Sequence, residues 1–173
     1  MKGKVLFFSV VFYAVIGTWL WGEYQQRPRV LDGLGHVILG MTPAQVVGVL
    51  GRPTEEFAQS EVEDQRLEYN YRKDGLSDYL VVFWPDEAGE QKADIICREG
   101  GSVFGLAVGQ SSELDIIEKL GKPSHRSFGP DGRAKAISYE NFKVAFEVEG
   151  GWTREICVSQ SGSISYTLES IRV

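Results

Sequence analysis

The chain has 173 residues, of which 43% are hydrophobic and 24% charged, and its net charge is −6. That composition excludes wholesale disorder, and an acidic body lacks the positive field that nucleic-acid binding needs, so no nucleic-acid partner is expected. Two cysteines and two histidines exclude a Cys-rich zinc site and a disulfide-dense scaffold.

The start, Met1 to Lys4, is short and basic. Val5 to Trp21 follows without a single charge. A helix over those residues spans roughly 25 Å, near the lower limit for crossing a bilayer. Two readings compete. A cleaved secretory signal would use Val15-Ile16-Gly17, the only passable cleavage site. A retained anchor would place Trp19, Trp21 and Tyr24 in an aromatic belt at the membrane surface. The bulky residues after Gly17 favour the anchor. Residues 1–24 are therefore expected to form an N-terminal transmembrane helix, a signal-anchor held in the lipid bilayer through residues 5–21. The basic start would stay in the cytoplasm. The C-terminal domain would then be periplasmic or extracellular in a single-pass membrane protein; the alternative is a cleaved signal and a periplasmic protein. No Cys follows the apolar run, so a lipoprotein anchor is excluded. Residues 25–36, with Pro28 and two glycines, read as a linker.

The remainder reads as a duplicated unit, 37–100 and 101–173. Val37 to Pro53 (VILGMTPAQVVGVLGRP) is echoed by Leu106 to Pro123 (LAVGQSSELDIIEKLGKP). Gly40 matches Gly109, and Leu50-Gly51-Arg52-Pro53 matches Leu120-Gly121-Lys122-Pro123. Further on, Leu67-Glu68-Tyr69 aligns with Ile137-Ser138-Tyr139, Phe83 with Phe146, and Ile96-Cys97 with Ile156-Cys157. Conserved spacing within elements and variable spacing between them is the expected pattern of a repeat. In each copy a capped helix is predicted. Thr42 caps the first, with Pro43 at its first position and Val46, Val47, Val49 and Leu50 on its apolar face. Ser111 or Ser112 caps the second, with Leu114, Ile116, Ile117 and Leu120 on its face. Gly51 and Gly121 end the helices, and Pro53 and Pro123 prevent a restart. Three strands follow each helix: Leu67–Tyr71, Tyr79–Trp84 and Ala93–Arg98 in the first copy; Ala136–Tyr139, Phe142–Val148 and Glu155–Val158 in the second. A final run, Ser165–Val173, would close the sheet.

The string Leu39-Gly40-Met41-Thr42, Gln45-Val46 and Leu50-Gly51-Arg52-Pro53 resembles the signature of the SmpA/OmlA/BamE outer-membrane assembly lipoproteins. The tandem arrangement is similar to the β-lactamase inhibitor protein fold. The resemblance covers about residues 37 to 173 and implies an α+β fold of two tandem units, each a short helix pair packed on an antiparallel sheet. The chain differs from the lipoproteins in being duplicated and in lacking a lipidated cysteine.

No nucleophile elbow, metalloprotease helix, phosphate loop or CxxC occurs, so neither an enzyme nor a cofactor or metal is expected. His36 and His125 read as solvated loop residues, as does the acidic run Glu61, Glu63, Asp64. Cys97 and Cys157 hold the same site in the two copies. They either bridge, if a twofold relation brings the copies together, or serve as two separate buried thiols. The second strand of copy one, Tyr79 to Trp84, is apolar on both faces, whereas Phe142 to Glu149 alternates. Leu80, Val82 and Trp84 therefore face away from the core, where a sheet open to water normally turns polar. They are the candidate protein-interaction residues. The expected function is a membrane-anchored extracytoplasmic protein-interaction module, an accessory or assembly subunit of a cell-envelope complex. The alternative is a secreted or periplasmic inhibitor of an enzyme, similar to β-lactamase inhibitor protein.

Overall fold

The computed structural model describes residues 29–59, 65–73, 76–130, 132 and 134–160. In the first half these form β1 (Gly33–Leu34), β2 (Val37–Ile38), α1 (Pro43–Leu50), β3 (Glu55–Ala58), β4 (Leu67–Lys73), β5 (Leu76–Pro85) and β6 (Gln91–Arg98). The second half repeats the order with β7 (Ser102–Val103), β8 (Leu106–Ala107), α2 (Glu113–Leu120), β9 (His125–Phe128), β10 (Ala134–Tyr139), β11 (Val144–Glu149) and β12 (Trp152–Ser159). A 3-10 turn, Glu140–Phe142, separates β10 from β11.

Local chemistry explains these elements. In α1 the Thr42 hydroxyl accepts from the Gln45 backbone N–H while the Gln45 side chain accepts from the Thr42 N–H. In α2 Ser112 and Asp115 make the same reciprocal pair. Each capping box satisfies two amides that a helix start leaves orphaned. Gly51 and Gly121 close the helices at φ 85° and 82°, a region that a side chain makes costly. Each helix fully buries one residue, Val46 or Ile116.

The two halves share one antiparallel sheet of eight strands, in the order β3-β4-β5-β6-β12-β11-β10-β9. β6 meets β12 at the centre, so the halves join edge to edge. Both helices and the β1–β2 and β7–β8 hairpins pack on one face. There Val46 and Ile116 meet Tyr69, Val81, Phe83, Ile96, Ile137, Phe146 and Ile156.

The repeat is visible in the bonds. Tyr71 donates to the Gly51 carbonyl and Tyr139 to the Gly121 carbonyl, tying each helix end to its second strand. Gly40 N–H donates to Ala93 O and Gly109 N–H to Thr153 O, both at 2.7 Å. Tyr139 thus answers to Tyr71. The sequence alignment set it against Tyr69, two residues away, which preserves the face because strand side chains alternate.

Three expectations are corrected. The units are not helix pairs, each on its own sheet. Among the described residues each half has one eight-residue helix, and the sheet is continuous. Ahead of the helices the chain forms hairpins instead: Gly35 in the first half and Phe104 and Gly105 in the second take positive φ in the turns, and Gly40 and Gly109 do so just after the hairpins. At Gly35 a side chain is excluded for a second reason, since an added Cβ would run into the Tyr79 hydroxyl. The linker expected over 25–36 ends inside the fold, because β1 places Leu34 in the core. Finally, no helix among the described residues is long and apolar enough to cross a membrane. An eight-residue helix is about 12 Å long, against a hydrocarbon core of about 30 Å. The transmembrane and signal-anchor reading is withdrawn, with the single-pass placement that followed from it. Residues 1–24, on which it rested, and the final run Ser165–Val173 lie outside the described residues.

Candidate functional site

Leu80, Val82 and Trp84 lie together on the sheet face opposite the helices. With Ile95 and Cys97 of β6, Ala145 of β11 and Cys157 of β12 they form a second apolar cluster. Its described members all belong to the sheet, and neither helix contributes to it. Val82, Ile95 and Cys97 are buried, while Leu80 and Trp84 are half-buried. Leu80 and Trp84 are the partly accessible residues of this strand face, and Val82, between them, is buried.

Cys97 and Cys157 form a disulfide, with Cα atoms 4.0 Å apart and both side chains fully buried. Residues 60 apart are equivalent here, as Ala93 and Thr153 show by their matching bonds to Gly40 and Gly109. Of the β6–β12 pairs, only Cys97 with Cys157 joins two equivalent residues. The bond therefore marks the pseudo-twofold axis between the halves.

That relation exposes a difference. Leu80 pairs with Cys97 as Ala145 pairs with Cys157, so Ala145 answers to Leu80, Glu147 to Val82 and Glu149 to Trp84. Val82 is opposite Ile95 in the first half, and Glu147 is opposite Glu155 in the second. On β5 this face is apolar, with Glu68 and Asn70 beside it on β4 and Lys92 on β6, whereas its counterpart β11 carries Glu147 and Glu149. Glu155 is only 2% exposed, and Arg154 interacts electrostatically with Glu147. Glu149 is exposed and bonded to Arg154.

A cleft of about 340 Å³ beside Trp84 is lined by Gly40, Pro85, Asp86, Lys92, Asp94 and Gln160. Burial raises the Asp94 pKa, and the nearby Lys143 partly offsets that. The cleft supplies polar groups at the rim of the apolar face of β5.

Other sequence candidates lie elsewhere. His36 is exposed in the β1–β2 turn, and His125 pairs with Glu140 at 2.8 Å on the surface. Glu61, Glu63 and Asp64 lie outside the described residues. Cys97, Glu155 and Cys157 bring three potential ligand atoms within 4.8 Å of one another, but a disulfide holds no thiolate to bind a metal. Sequence reasoning missed Glu147 and Glu155 as a facing pair. The Gly150-Gly151 turn was the signal closest to finding them, since it joins β11 to β12, but a bulge beside Glu147 shifts the pairing by one residue.

No family model and no curated protein matches the chain. Among solved structures, a DUF4309 family protein (YjgB) from Bacillus subtilis is similar, with 13% identity and a TM-score of 0.45 over 75% of this chain and 84% of that one. A likeness of that degree carries no functional information.

Proposed function

We propose that this chain is a protein-interaction module, a binding rather than a catalytic protein, whose docking face is the side of the sheet that carries Leu80, Val82 and Trp84. The asymmetry of that face supports the reading. Both halves build the helix-packed face from apolar residues, since the fold needs it. On the other face the same scaffold carries Leu80, Val82, Trp84 and Ile95 in one half and Ala145, Glu147, Glu149 and Glu155 in the other. A requirement of the fold would act on both halves alike. Leu80 and Trp84 keep part of their surface open, and a tryptophan is a frequent anchor at protein interfaces.

The test is Trp84→Ala in the full chain, with thermal unfolding and partner capture measured on the same preparation. Loss of a central anchor weakens binding by about 2 kcal/mol or more, roughly thirtyfold, with little change in the unfolding midpoint. Strong destabilisation with capture unchanged would assign Trp84 to the chain's own packing and remove this face from consideration.

A further inference from the structure

The outer strands of the sheet, β3 and β9, form a second surface of a different kind. Each is four residues long and has a neighbouring strand on one side only among the described residues. Their free sides therefore offer backbone donors and acceptors to another strand. Charged side chains normally guard such edges, and here the two guards have opposite sign. β3 carries Glu55 and Glu56, whereas β9 carries Arg126. Like charge protects β3 against β3 and β9 against β9. It gives no protection of β3 against β9.

Both edges also expose an aromatic ring, Phe57 at 53% and Phe128 at 57%. Glu55 pairs with Arg72 at 3.2 Å, and Arg126 contacts Glu113, all within the chain. Glu56 is exposed and has no ion-pair partner among the described residues.

The topology permits the contact. Strands alternate in direction across eight positions, so β3 and β9 run opposite to one another. A copy set beside the first with the same face up therefore brings its β3 antiparallel to the first copy's β9. Glu56 lies opposite Tyr69, and Arg126 opposite Ile137. Tyr69 and Ile137 both belong to the helix-side core, so Glu56 and Arg126 point to the same side. A register that sets Arg126 against Glu56 also sets His125 against Phe57 on the other side. Opposite charges directly across a strand pair favour association.

We infer that the chain associates head to tail with a second copy of itself, β9 of one against β3 of the next, through Arg126 and Glu56. Such an edge contact is far smaller than a standard interface, so it is weak and depends on concentration. It does not close on itself, and short runs of copies form.

Sedimentation equilibrium of the full chain over a range of concentrations tests this. The weight-average mass should rise with concentration and fall back with added salt. Glu56→Lys and Arg126→Glu should each weaken association at least about tenfold, with the unfolding midpoint monitored as a check on folding. The double variant, Glu56→Lys with Arg126→Glu in one chain, carries the charges swapped and should regain association, as should a mixture of the two single variants. A constant monomer mass overturns the inference. So does association that the single variants leave unchanged, which would mean another surface is involved. Failure of the double variant and of the mixture to recover also overturns it.

Discussion

Replacing both Cys97 and Cys157 by alanine tests the central join. The two residues are 60 apart in sequence. On the chain-entropy account, closing a loop of that length removes about 14 cal/mol/K from the unfolded chain, about 4 kcal/mol at 25 °C. Both sulfurs are fully buried, so truncation also leaves unfilled space, which moves the effect in the same direction. At roughly 2–4 °C per kcal/mol for a domain of this size, the unfolding midpoint should fall by roughly 8 to 16 °C. Urea unfolding of the unreduced wild type and the double variant gives the free-energy difference directly. Thiol counting on the unfolded, unreduced wild type shows whether the bond is present. A loss under about 1 kcal/mol with the bond present would refute the loop-closure reasoning. Two free thiols in the wild type would refute the pairing itself.

Burial raises the Tyr71 pKa from 10.0 to about 12, with the neighbouring Tyr69 adding to the shift. The folded state thus favours the neutral phenol. The stability it contributes is complete below the unfolded value and is lost as pH rises from about 10 to about 12. Tyr71→Phe should flatten stability over that interval in unfolding measured at stepped pH, and an unchanged profile would contradict the assignment. Thr42→Ala and Ser112→Ala each remove a capping box and should each cost about 1 kcal/mol in chemical denaturation. A large difference between them would show that the two helix starts are not equivalent.

The helices were legible because their signals are local and discrete. Thr42, a serine at 111 or 112, and Gly51 and Gly121 each mark a boundary, and the structure settles the second cap on Ser112. The six long strands were legible from apolar runs and turn residues. β3 and β9 were not. Glu55-Glu56-Phe57-Ala58 has no clean alternation, because an edge strand that is largely exposed has little to bury. The four hairpin strands are two residues each, too short to carry a period. The repeat itself was legible, but matching Phe83 to Phe146 by residue type placed the register two residues off. By pairing partner, Phe146 answers to Val81, and Val148 to Phe83. On the candidate face the alternation of side chains was enough to place Leu80, Val82 and Trp84 together. The burial of Val82 depends on contacts between strands, which no local pattern records, and the facing of Glu147 and Glu155 depends on a bulge that shifts the β11–β12 register by one residue. The apolar run Val5 to Trp21 shows the converse. Its composition suggests a membrane span, but composition alone does not establish where a segment packs.

The position of the disulfide has one further consequence. A free-standing half would present its single cysteine to the same cysteine of an identical half, and the bare edge of β6 to the bare edge of another β6. The middle of this protein therefore has the geometry of a symmetric homodimer, made within one chain. Glu99 to Gly101 connect the halves. They convert an association that dilution would undo into one fixed by the tether, whose effective concentration is set by a few residues of backbone and not by how much protein is present. The sulfur–sulfur bond then fixes the same contact a second time.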